Sequence, residues 1–337
     1  FANKQPDAWE TLVSAIIRAG FVVDGSWPIQ TEQAARMRAQ SSAALASSVW
    51  LIGKKRSATA RPGWDANVLE EMRSNIAGRL REYWDAGIRG PDFVWAATGP
   101  ALEAYSKHPV VRKANETNAT MDVGEFLTHV RRMVVDYVVG QVLTGEQGSD
   151  FASADLLDEV TAYYLLHRHD FGLEEAPVGA CILYATACGL SDAELERTWD
   201  ILTGSSTSST SETDADEEID EEAGEAETED SSGGGSKVKL KAWSQRRGRV
   251  MGYEAPEGKA VPLIDRIHRV MHLWKDGDVQ KVDEFLDDHA LRRNELFKRV
   301  VQSLIELSSN SERTLLESIS NHIGAKGAKV AGEPTLF

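Results

Sequence analysis

Apolar residues recur at intervals of three and four behind Pro6: Trp9, Leu12, Val13, Ile16 and Ile17. That spacing predicts a helix over 6–19, opened by the proline and stopped by Gly20. Two short apolar runs follow, 21–27 and 48–53, and predict strands; the opening Phe1-Ala2-Asn3-Lys4 reads as the end of an earlier strand. From Pro62 the pattern turns helical. Leu69, Met72, Ile76, Leu80 and Tyr83 form one apolar stripe. The segment 83–105 contains Gly-Pro twice and predicts two short helices around a tight turn. Further amphipathic patterns predict helices over 122–143, 156–169, 176–190 and 191–202, the last capped by Ser191 or Asp192. Val238, Leu240 and Ala242 alternate with lysine, as in a short strand or arm. Helices return over 262–274, 279–289, 294–307 and 312–323, and Ser309 with Glu312 has the spacing of a capping box. The expected class is an α/β segment followed by a mostly α-helical region.

Composition changes that picture at one place. The stretch 204–236 has twelve Asp or Glu, no Lys or Arg and almost no apolar residue, so it cannot bury enough surface to offset the entropy of ordering. It is expected to be a disordered acidic linker between a helical domain, 57–203, and a basic arm with a helical C-terminal domain, 237–325. Residues 326–337 read as a flexible tail. Three quarters of the formal net charge of −16 sits in that linker, so the rest is only mildly acidic and nucleic acid is not excluded as a partner. No apolar run reaches the roughly 18 residues of a membrane helix, which predicts no membrane partner and a cytoplasmic location. Cys181 and Cys188 would share a helix face about 10 Å apart, too far for a disulfide, so buried reduced thiols are expected. His167-Arg168-His169-Asp170 puts two ligands on one face, short of a metal site, and reads as a polar surface helix end. The run 269–274, with Met, His and Trp at helical spacing, reads as core.

Candidate chemistry gathers in the connection between the two strands, which is far too long for a hairpin turn. A helix between a strand ending near Asn3 and the strand 21–27 makes those two parallel. Ligands bind at the carboxyl edge of such sheets, and the connection hangs over that edge. The run 48–53 then returns from it as a last, antiparallel edge strand. The residues suit a polyanion: Arg36 and Arg38 for phosphates, Gln40, Ser41 and Ser42 as hydrogen-bond donors, and Trp27 as a stacking surface. A second basic run, KVKLKAWSQRRGRV, adds Arg246, Arg247 and Arg249 as candidates for the DNA backbone.

The stretch FANKQPDAWETLVSAIIRAGFVVDGSWPIQTE, with RMRAQSSAALASSVWLIGKKR after it, resembles the closing part of the catalytic domain in a group of large adenine-specific DNA methylases. These are bacterial and archaeal proteins with an uncharacterised N-terminal domain, often found near defence genes. The chain has Asn3 where the family has His, and Ser41 where it has Gly. The likeness extends through YWDAGIRGPDFVWAATGPALEAYSKHPVV, LLDEVTAYYLLHRHDFG and PLIDRIHRVMHLW, and so covers most of the chain outside the acidic stretch.

That resemblance implies a Rossmann-like methyltransferase that moves a methyl group from S-adenosylmethionine to the exocyclic amine of adenine in DNA. It implies a role in restriction-modification or phage defence, with defence-system proteins as partners besides DNA. It also implies a glycine-rich cofactor turn and an Asp-Pro-Pro-Tyr-type tetrad for the flipped base. Neither occurs in the 337 residues. The expectation is a C-terminal fragment: 1–56 is the end of the catalytic domain, the cofactor site lies upstream, and the fragment alone is inactive. The opening on Phe1 within a strand suits that expectation. A non-catalytic helical DNA-binding or scaffold protein is the alternative.

Overall fold

The stripe on α1 (Pro6–Arg18) buries Trp9, Val13 and Ile17, and Gly20, at φ 83°, takes the left-handed turn that leads into the first strand. The computed structural model describes residues 1, 6–30, 47–116, 118–144, 157–203, 237–252, 255–256 and 258–330. Strand β1 (Phe21–Gln30) pairs antiparallel with β2 (Ser47–Lys55), Trp27 opposite Trp50, with a bulge between Val23 and Gly25. Both strands run longer than expected. Pro28 does not end β1, because it lies opposite Val49, whose backbone groups point away from it.

Those groups find Phe1 instead. Val49 N–H donates to the Phe1 carbonyl at 2.8 Å, and the Phe1 nitrogen donates to the Val49 carbonyl at 2.9 Å. A reciprocal pair is antiparallel geometry. Phe1 thus lies on the side of β2 away from β1. The described sheet here has two strands, β1 and β2, with β2 antiparallel as expected and bonded on its far side by Phe1. Successive residues of a strand aim their backbone groups at opposite neighbours, and β2 uses both sets.

After β2, Arg56 ties the region together through the carbonyls of Ile17, Ser106 and His108 at 3.1–3.3 Å. The two-residue strand β3 (Gly63–Trp64) leads into α2 (Asp65–Asp85), which buries Val68, Met72, Ile76, Leu80 and Tyr83. Next comes α3 (Gly90–Ser106), which lies against β1. Here the two short helices expected over 83–105 are corrected. Gly90-Pro91 does open a helix, but Gly99-Pro100 sits inside it without ending it. The reason is Ser26 of β1. Pro100 has no N–H to give to the Ala96 carbonyl, and the Ser26 hydroxyl donates there instead at 2.8 Å. The same oxygen accepts the Gly99 N–H at 2.9 Å. A hydroxyl from the sheet is thus inserted into the helix ladder at the point where proline opens it.

The remaining elements are β4 (Val111–Arg112), parallel to β3, then α4 (Val123–Thr144), α5 (Glu159–Phe171), β5 (Glu175–Pro177) and α6 (Val178–Ala187). A π-helical turn (Glu194–Thr198) follows, reciprocally bonded to Ser191 through Glu194, and then β6 (Leu202–Thr203). After the acidic stretch come β7 (Lys237–Leu240), a 3-10 turn (Trp243–Arg246), α7 (Arg247–Met251), α8 (Leu263–Lys275), α9 (Val279–Asp288), α10 (Glu295–Leu307) and α11 (Asn310–Val330). Mostly helical, with small sheets, is the observed class. The helix α11 continues to Val330, past the expected start of the tail at 326. Its expected capping box is corrected, since the Glu312 carboxylate turns to Arg168 of α5.

Strand β7 lies between β5 and β6, antiparallel to both. The chain before and after 204–236 therefore shares one sheet. It also shares one core, which runs from Trp9 to Ile323 without a break. The ranges 1–56, 57–203 and 237–325 all contribute residues to this core. Composition sets 204–236 apart, but cannot say whether its flanks part; here the flanks are paired strands. The run 269–274 is core as expected, with Val270, Met271, His272 and Leu273 buried.

Candidate nucleic-acid interface

The inner face of the β1–β2 pair holds Val23, Ser26 and Val49 against α1 and α3. By the two-residue period of strands, their neighbours face outward. Trp27 is 52% exposed, Trp50 64% and Ile52 56%. Trp27 and Trp50 are cross-strand partners, so their rings share one face, and Tyr83 meets the Trp27 ring edge-on at 5.7 Å. Lys54 is the next outward position and holds Asp24 at 2.6 Å. Of the expected contact residues, Trp27 is thus at the surface. Arg36, Arg38, Gln40, Ser41 and Ser42 lie outside the described residues. Trp50 and Ile52 were not singled out by sequence, although the buried Val49 and the partly buried Leu51 carry the alternation that places them outside.

The second basic run turns inward. Arg246 is fully buried: its guanidinium donates to Asp265 Oδ1 (2.6 Å), the Trp199 carbonyl (2.7 Å), His268 Nδ1 (2.8 Å) and the Asp200 carbonyl (2.9 Å). Its expected role at the DNA backbone is corrected, because every contact it makes is internal. Arg247 is exposed and forms a two-pronged pair with Asp276, 2.8 and 3.0 Å. Arg249 lies 3.9 Å from Asp265 Oδ2, with its side chain mostly covered. Lys237 pairs with Glu175 and Lys241 with Asp200. The positive charge of this run is largely matched by carboxylates of the same chain.

The histidines of the helical part are also structural. His167, expected at a polar surface end, is buried, and its Nδ1 lies 3.3 Å from the Tyr163 hydroxyl and 3.9 Å from Cys181 Sγ. The correction follows from α5 being covered on every side. Burial lowers His167 to a pKa of about 4, against a small opposing pull from Asp170. Burial likewise lowers His268, helped by the Arg246 charge, and lowers His272. The thiols are free and buried as expected, and desolvation raises Cys181 to about 11. Tyr163, His167 and Cys181 resemble a nucleophile with its base, but both shifts disfavour the charged forms such chemistry needs.

These histidines set an acid limit. In the unfolded chain a histidine takes its proton near pH 6.5, whereas folded His167 takes it only near pH 4. Between those values the unfolded state binds more protons, so stability falls as pH falls, by up to about 1.4 kcal/mol per pH unit from His167 alone. Asp265, raised by burial, acts in the opposite sense, but three histidines oppose it. Urea midpoints are expected to decline from pH 7 toward pH 5, where most carboxylates remain ionised. A flat profile across that interval would contradict neutral buried histidines.

A site for S-adenosylmethionine needs a glycine-rich turn between a strand and a helix. Among the described residues, β3 passes straight into α2 and β5 straight into α6, with no such turn. The residues described here do not fit that cofactor. Among them there is also no cluster of three metal-ligating side chains, and no helix long and apolar enough to cross a membrane. No family model, curated protein or solved structure matches the chain.

Proposed function

We propose that the chain is the C-terminal portion of an S-adenosylmethionine-dependent DNA methyltransferase acting on the exocyclic amine of adenine. It would contribute the last strands of a Rossmann-like sheet, DNA contact and scaffold, with the cofactor and tetrad residues supplied from upstream. The observation that supports this reading is the antiparallel β1–β2 pair behind α1, within the 56 residues that resemble the end of a catalytic domain. A helix leading into a strand that pairs with an antiparallel neighbour suits the closing edge of such an α/β sheet, and Phe1, bonded to the far side of β2, is where the sheet would continue. The connection 31–46, with Arg36 and Arg38, then leaves β1 at the carboxyl edge, where substrates bind in such sheets. Helices α2 to α11 form the scaffold that fixes this edge. The competing reading, a helical DNA-binding or scaffold protein without catalysis, draws on the single core shared by sheet and helices.

Methyl transfer to DNA by the product of the whole reading frame, and none by these 337 residues alone, is the expected outcome of a radiolabelled transfer assay. In the whole enzyme, Arg36→Ala with Arg38→Ala is expected to weaken DNA binding about tenfold or more while leaving cofactor binding unchanged. Loss of cofactor binding instead would contradict the assignment. A whole frame that transfers no methyl group but still binds DNA would favour the scaffold reading.

A further inference from the structure

We propose that the outer face of the β1–β2 pair is a stacking platform for unpaired nucleotides of a nucleic-acid strand. The inference rests on the DNA reading above only for the kind of nucleic acid. Trp27 and Trp50 stand directly opposite one another and are both exposed, so they present two indoles on one face. The next outward pair is Ile52 opposite Gly25, and a Cβ built at Gly25 would meet nothing within 4 Å. That leaves an open step beside the Trp27 ring. Lys54 follows one outward position further along β2, about 7 Å on. Flat, exposed indoles offer a π-face that a base can meet only when it is unstacked, and every base has such a face. The edge-on contact with Tyr83 holds Trp27 in place without covering it.

Charge selects nucleic acid as the occupant over an apolar protein partner. The segment 47–64 has four Lys or Arg and no Asp or Glu, within a chain of formal net charge −16. Arg56 is committed to backbone carbonyls and Lys54 touches Asp24, while Lys55 is exposed beside them. A strand lying along β2 would place its bases on Trp27 and Trp50 and its phosphates toward Lys54.

The test uses the full 337-residue chain and fluorescence anisotropy with a labelled oligothymidylate of about 20 nucleotides, and with its duplex. Tighter binding to the single strand is expected. Trp50→Ala and Trp27→Ala are each expected to weaken it at least about fivefold, with Trp50→Phe close to the parent. Lys54→Ala should lower the slope of log affinity against log salt by about 0.7. For Trp50→Ala and Lys54→Ala, whose side chains are mostly exposed, the thermal midpoint should stay where it is. Tryptophan variants that bind single strands like the parent overturn the platform; if they still bind duplex, the DNA reading stands without it. No binding to either form overturns both. A dimer that the tryptophan variants convert to monomer shows the face covered by a second copy and also overturns the platform.

Discussion

Replacing Arg246 by alanine is expected to destabilise the chain by roughly 3–5 kcal/mol, the range for breaking a buried ion pair from one side. The guanidinium holds four groups at 2.6–2.9 Å: the Asp265 carboxylate, His268 Nδ1 and two backbone carbonyls. Without it, Asp265 keeps a buried charge with no counterion in hydrogen-bond reach, and its Oδ2 already lacks a hydrogen bond in the described structure. The carbonyls of Trp199 and Asp200, just before β6, lose their donor as well. Burial already raises the pKa of Asp265 despite the arginine. In the variant that rise grows, and the folded state can relieve it by taking a proton. The deficit relative to the parent should therefore be full at neutral pH and shrink as pH falls through the raised pKa. Arg246→Ala combined with Asp265→Asn should recover part of the loss at neutral pH. Urea denaturation of the three proteins at two pH values is the measurement. If Arg246 instead met phosphate, its removal would flatten the salt dependence of DNA binding and leave the urea midpoint in place.

Arg246 and Arg247 show what the sequence could and could not reveal. They are neighbours in one basic run, yet one is buried and the other exposed. Nothing local separates them. The difference comes from the 3-10 turn that aims Arg246 at an Asp265 placed by a different helix. The helices, by contrast, were legible, because their stripes of three- and four-residue spacing are local: the expected 6–19, 122–143, 262–274 and 294–307 match α1, α4, α8 and α10 within a residue or two. The strands at 21–27, 48–53 and 238–240 were legible too, but β5 and β6 overlap the ends of segments that read as helices, and Phe1 and Val49 find one another across 48 residues. The acidic stretch was plain in composition, while its place inside a β6–β7 pair depends on Leu202 meeting Leu240. For the candidate interface, the alternation of Val49, Trp50, Leu51 and Ile52 held the needed signal once the inner face was known.

The second large effect is expected at Gly99, where alanine should cost about 3 kcal/mol. A Cβ there would stand 2.2 Å from both the nitrogen and the hydroxyl of Ser26 and 2.4 Å from its Cβ. These are atoms of a paired strand and not the free end of a flexible side chain, so β1 and α3 would have to separate. Overpacking of this kind costs about 1–3 kcal/mol, and the two buried hydrogen bonds through Ser26 Oγ would be lost with it. Ser26→Ala removes those bonds without the clash and should cost less, about 1–2 kcal/mol. Pro100→Ala restores an N–H for the Ala96 carbonyl, so in the Ser26→Ala background it should recover stability. A double-mutant cycle between positions 26 and 99 is then expected to show coupling above about 0.5 kcal/mol. Simple additivity would mean that the inserted hydroxyl does not join sheet to helix. The consequence reaches the surface, because Trp27 follows Ser26 directly and its position is set by how closely β1 sits on α3. Gly99→Ala should therefore weaken single-strand binding even at temperatures where the chain is fully folded, whereas an exposed substitution such as Arg79→Ala on α2 should not. The Gly-Pro pair that reads as a break in the sequence is in this way the seat on which the aromatic face rests.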